Sequence, residues 1–275
     1  MPEQPLYELP VVLTSFGYRD EYLLEMEGML ATADEQHAAW PQIIGRGRAN
    51  GELEVTAGGD VWRWILPVPL RLDGENDWRL VTRVKGWWVA MAWKYAAQRA
   101  DDGMVRVLWL DADARLNGPL DFELDPSVEL IASPWYCDAR YDYETLTTGM
   151  VLFQGKAGGL VGEIIDCWSR ECLRQIEDLR APIVPWLDGD QEVLTESLAV
   201  FLDSGRRPVL LRLDYGKYCG CVTEAGERRP EALVDQWMMS WRMKKKEYLS
   251  RAWPPPEDVR RASKPDLRSG KAAHA

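Results

Sequence analysis

The chain has 275 residues, 46% of them hydrophobic and 28% charged, and a net charge of −11. A chain of this length buries a full core without disulfides or a structural metal, so its five cysteines are expected to be reduced thiols. The acidic balance excludes broad contact with duplex phosphates, which needs a basic face.

The start, Met1 to Tyr7, carries acid and is followed by no apolar segment, so neither a signal peptide nor a membrane span is expected and the protein reads as cytoplasmic. Pro10 to Phe16 reads as a short buried strand ended by Gly17. Asp20 can cap a helix whose apolar face is Tyr22, Leu23, Met26, Met29 and Leu30. Gln42 to Asp60, rich in glycine and charge, reads as a loop or irregular insertion, and Val61 to Leu66 as a strand. Thr82 to Arg99 is the clearest helix, with Val84, Trp88, Met91 and Tyr95 on one face. Val105 to Leu110 is an apolar run of strand length that suits a central strand covered on both faces. Val128 to Ser133, Gly149 to Phe153 and Pro208 to Leu213 read as further strands. Val161, Ile165, Trp168 and Cys172 mark one more helix, and Leu194, Leu198 and Phe201 another. Alternating strands and helices imply an α/β sheet flanked by helices in a single domain, 1–252. A Pro-rich, basic tail, 253–275, is expected to be extended.

Chemistry concentrates where the apolar run stops, at Asp111-Ala112-Asp113. Two carboxylates at the carboxyl end of a buried strand lie where open α/β sheets bind ligands. Their oxygens suit Mg²⁺ or Mn²⁺, which commonly bridge carboxylates and phosphates. If the chain stays extended, residues two apart point the same way and Asp111 and Asp113 converge on one ion. A plain strand-to-turn junction is the bland alternative, because Asp is common in turns.

With these segments in order, the sequence resembles the GT-A fold glycosyltransferases, which use nucleotide-diphosphate sugars. Leu13 to Gly17 is similar to their first strand and nucleotide loop. Val84-Lys85-Gly86-Trp87 resembles the helix start that precedes the Asp-x-Asp strand. Thr147-Thr148-Gly149 followed by apolar residues resembles a strand beside donor and acceptor, and Asp188-Gly189-Asp190-Gln191 the start of a late helix. The resemblance implies a Rossmann-like mixed sheet and a UDP- or GDP-sugar donor. It implies donor contacts at Thr14, Ser15, Phe16, Gly17, Lys85, Asp111 and Arg242, and Mn²⁺ or Mg²⁺ on Asp111 and Asp113. Arg115 is a further candidate on the phosphate side. Asp190, Asp188 and Gln191 become the candidate catalytic residues, either aspartate serving as base in an inverting reaction. Trp135, Tyr136, Tyr141 and Tyr143 could stack on a sugar or base face. Where the family places a late metal-binding His, this chain has Gln236, so a third ligand is absent or comes from Asp214. Neither His37 nor His274 is well placed for it.

The acceptor stays open among a glycan, a modified nucleobase such as a hydroxylated base in phage DNA, and a protein. A nucleotidyltransferase or other Mg²⁺-dependent phosphoryl enzyme is the alternative chemistry. A sugar-nucleotide-binding protein without catalysis is the alternative outside enzymes.

Overall fold

The computed structural model describes residues 4–5, 11–18, 20–48, 52–66, 77–100, 103–135, 145–178, 190–221 and 231–236. In chain order the first half comprises β1 (Gln4–Pro5), β2 (Val12–Tyr18), α1 (Asp20–His37), β3 (Gln42–Gly47), β4 (Glu52–Ala57), β5 (Asp60–Ile65) and α2 (Asp77–Ala97). The centre adds β6 (Met104–Leu110), β7 (Ala114–Leu116), β8 (Glu123–Leu124), β9 (Leu130–Trp135) and β10 (Thr145–Lys156). The rest is α3 (Leu160–Asp178), α4 (Asp190–Asp203), β11 (Leu210–Arg212), α5 (Tyr215–Tyr218), β12 (Gly220–Cys221) and β13 (Val234–Gln236). The tail after residue 252 lies outside the described residues, and no helix among them is long and apolar enough to cross a membrane.

Eight strands form one mixed sheet in the order β11-β9-β10-β6-β2-β3-β4-β5. β6, β2 and β3 run parallel, while β10 pairs antiparallel with β6. The expected α/β architecture is therefore present, with helices on both faces. Alternation along β6 shows why. Val105, Val107 and Trp109 join a core with α2, α3 and α4, whereas Leu108 and Leu110 join a second core with Met26 and Met29 of α1. Each fully buried side chain of this size contributes roughly 1.5–3 kcal/mol.

The stretch from Gln42 to Asp60, expected to be irregular, is instead two strands, β3 and β4, joined to β5 by antiparallel pairing. Its glycines are packing devices. Gly45 leaves room for the Phe16 and Trp88 rings, and Gly47 for Tyr18 and Phe16, so a side chain at either would meet aromatic carbon at about van der Waals contact or closer. The turn between β4 and β5 takes Gly58 and Gly59, both at positive φ.

His37 is a structural residue. Its ring stacks on Trp40 at 3.8 Å, and its Nε2 accepts from the Leu120 backbone N–H. Burial lowers its pKa to about 4. The unfolded chain takes up a proton below pH 6.5 that the folded chain refuses until about 4, so stability falls as pH drops through that window. Between pH 7 and 5 this histidine should remove about 2 kcal/mol. Urea unfolding of wild type and His37→Gln at both pH values tests this; an equally steep pH dependence in the variant overturns it.

Candidate functional site

β6 ends at Leu110, and the chain turns at once, with the Ala114 N–H donating to the Asp111 carbonyl at 2.9 Å. Asp111 and Asp113 therefore lie in a turn and not on an extended strand, which corrects the geometric reason expected for their convergence. They are still electrostatic neighbours. Burial raises the Asp111 pKa to about 6, against the pull of Lys85 and with help from Asp113 and Asp190.

Strand alternation puts Trp109 on the same side as Asp111, and its indole N–H donates to Asp111 Oδ1 at 2.8 Å. Lys85 Nζ reaches the same oxygen at 2.7 Å from α2. The ammonium also meets Asp190 Oδ2 at 2.8 Å, and the carbonyl and hydroxyl of Thr148 at 3.3 Å each. It lies 5.2 Å from the Trp109 ring centroid. Thr148 in turn donates to Asp190. One cation thus ties the ends of β6 and α4 to strand β10, whose pairing with β9 is interrupted between Leu146 and Val151.

Burial opposes the Lys85 charge, but the two carboxylates outweigh it and its pKa is raised. Burial likewise opposes ionised Asp190, yet Lys85 and Thr148 hold its pKa below the ordinary carboxylate value. Lys85 is neither at a helix start nor turned outward to a phosphate. It sits in the third turn of α2, with its side chain 9% exposed, and is matched to protein acceptors. Asp190, salt-bridged and buried, suits positioning better than proton abstraction.

Other expected contacts fall elsewhere. Thr14 donates to the Ile43 carbonyl at 2.7 Å and accepts from Trp88 Nε1, and Ser15 donates to the Leu110 carbonyl at 2.7 Å. Both are completely buried, and Phe16 belongs to the core. Strand β2 runs through Gly17, which packs on Met26 and Leu23, to Tyr18. These side chains hold the sheet together. Arg115, a candidate on the phosphate side, lies back on α1, bonded to the carbonyl and carboxylate of Glu25 in space that Gly28 leaves open. Gln191 donates to Glu192, and Asp214 caps α5 by accepting from the Lys217 N–H. Asp188, Arg242, Tyr136, Tyr141 and Tyr143 lie outside the described residues.

Trp109 is the contributor that sequence reasoning missed; its signal is a position two residues before Asp111 on a strand. Gln236 arrives by pairing with Ala114, and its carboxamide lies against Gly149, where a Cβ would overlap it. Gly149→Ala should therefore displace the buried Gln236 carboxamide and lower stability by about 1–3 kcal/mol. Urea unfolding measures this, and an unchanged midpoint would overturn the packing.

Asp111 Oδ1 is engaged twice, while the side chain as a whole is 30% exposed. Asp111 and Asp190 face the Lys85 ammonium, and Asp113 is the electrostatic neighbour of Asp111, so the Asp111–Asp113 pair offers hard oxygen donors of the kind a divalent cation takes. Among the described residues no group of three or more His, Cys, Asp or Glu could hold a metal ion. A cation held by the aspartate pair would complete its shell from ligand oxygens and water. Gln236 Oε1, a candidate third ligand, already accepts from Cys219 Sγ at 3.3 Å.

No protein-family model matches the chain, and no curated protein matches its sequence. Among solved structures, the galactosyltransferase LgtC in complex with donor and acceptor sugar analogues is similar at 13% identity and a TM-score of 0.43. That alignment covers 91% of this chain and 99% of LgtC. An active-site mutant of LgtC aligns at 11% identity and a TM-score of 0.42 over the same shares of both chains. The glycosyltransferase GlyE of Streptococcus pneumoniae TIGR4 is similar at 14% identity and a TM-score of 0.36, covering 76% of this chain and 46% of that one.

Proposed function

We propose that the chain is a GT-A type glycosyltransferase that takes a nucleotide-diphosphate sugar and passes its glycosyl group to a hydroxyl acceptor. One observation carries this. At the carboxyl end of the central parallel strand, Asp111 is locked through one oxygen by Lys85 and Trp109 while its side chain remains 30% exposed, next to Asp113 and the Thr148-Gly149 backbone. Asp111 and Asp113 would hold Mn²⁺ or Mg²⁺. A divalent cation there supplies countercharge for the negative charge that grows on a leaving diphosphate. Lys85 keeps Asp111 oriented, Asp190 keeps Lys85 in place, and Gly149 leaves room for the Gln236 carboxamide beside the pair. Asp188 is the remaining candidate base for an inverting reaction, with Gln191 beside the acceptor and Arg242 on the phosphates.

With two protein carboxylates, metal and nucleotide should depend on each other. Mn²⁺ should bind weakly alone and tightly with UDP or GDP, and it should strengthen nucleotide binding by the same factor, because coupling is reciprocal. Asp111 must be ionised to hold a cation, so binding should weaken as pH falls below about 6. Calorimetric titration of Mn²⁺, with and without each nucleotide at pH 7.5 and 5.5, tests this. Nucleotide binding indifferent to metal and pH would overturn the proposed site.

A further inference from the structure

Among the described residues at the site, Gln236 carries a buried side-chain atom left unmatched. The residue is 5% exposed, and its backbone pairs with Ala114, directly after Asp113. Its carboxamide lies on Gly149, whose carbonyl accepts the Asp111 N–H at 2.9 Å. Oε1 accepts from Cys219 Sγ at 3.3 Å. The other end, Nε2, is buried with no partner among the described residues.

A buried amide donor without an acceptor is destabilising, and an apolar side chain of the same shape would remove the penalty. An N–H group cannot ligate a cation; it can only meet an acceptor oxygen. Next to a carboxylate pair suited to a divalent ion, the oxygen-rich ligand that fits is a phosphate of the bound nucleotide. Resting on the nucleotide-sugar site proposed above, we infer that Gln236 is not a metal ligand but donates from Nε2 to an oxygen of the donor diphosphate. The unmatched donor is then satisfied on binding. Gln236 thereby senses the diphosphate directly, while Asp111 and Asp113 sense it through the ion.

The test compares wild type with Gln236→Met, which keeps length and shape, and with Gln236→Ala as a second variant should the first fold poorly. UDP and GDP are titrated calorimetrically in saturating Mg²⁺, Mn²⁺ is titrated into nucleotide-free protein by electron paramagnetic resonance, and melting temperatures are recorded. Nucleotide binding should weaken roughly 10- to 100-fold in Gln236→Met, the range of one hydrogen bond to a charged group. Mn²⁺ affinity without nucleotide should be unchanged, and the melting temperature unchanged or raised. A parallel loss of Mn²⁺ affinity in nucleotide-free protein would make Gln236 a metal ligand and overturn the inference. Wild-type nucleotide affinity in both variants would overturn it alone, leaving the proposed function intact. No nucleotide binding by wild type would overturn both.

Discussion

Lys85→Met should lower stability at pH 7.5 by about 3–5 kcal/mol, the usual result of removing one partner from a buried ion pair. The substitution leaves Asp111 and Asp190 facing each other without the cation that bonds to both at 2.7 and 2.8 Å. Methionine fills similar space, so the loss is electrostatic in origin. The same physics sets its pH dependence. Without Lys85 both carboxyls titrate at higher pH than in wild type, so lowering the pH neutralises them and returns part of the stability. Lys85→Met/Asp190→Asn should recover part of it at neutral pH. Urea unfolding of the three proteins at pH 7.5 and 5 measures these differences. A loss under about 1 kcal/mol would mean that Lys85 is an ordinary surface cation.

Asp111→Asn and Asp113→Asn should each fold and each lose at least ~100-fold in turnover of nucleotide sugar, a few kcal/mol of transition-state stabilisation. In Asp111→Asn the amide oxygen still accepts from Trp109 Nε1 and Lys85 Nζ, so the local geometry is kept while the charge goes. Release of nucleoside diphosphate from a panel of UDP- and GDP-sugars, in Mn²⁺ or Mg²⁺, provides the measurement, with unfolding midpoints alongside. Wild-type turnover in both variants would remove the aspartates from the site.

How much of this could be read in the sequence follows from the range of each interaction. β6 and the Asp pair at its end were legible because burial on both faces writes a continuous apolar run and the run stops at a charge. The strands β3 and β4 were not, because Gly45 and Gly47 break the apolar pattern. They are there to receive Phe16, Trp88 and Tyr18, which are remote in sequence. Thr14 and Ser15 looked like ligands because hydroxyls near a strand end often are. Their partners, the Ile43 and Leu110 carbonyls, belong to neighbouring strands that only the folded sheet brings near. The bracing of Lys85 is not legible in its own segment, since its acceptors at Asp111, Thr148 and Asp190 are spread over the following 105 residues.

That spread bears on the order in which the chain must assemble. The Lys85 brace needs α2 and β6 from the first part of the chain, and β10 and α4 from the second. Its charges can leave water together only after β10 has zipped along β6 from Met150 opposite Leu110 to Lys156 opposite Met104. Contacts so far apart in sequence form slowly, because the intervening loop must close before they contribute. The site is consequently a late product of folding. A fragment ending before residue 145 would carry Asp111, Asp113 and Lys85 yet lack the counterpart strand and helix. Splitting the chain between β7 and β10 would leave the aspartate pair in one piece and half its support in the other.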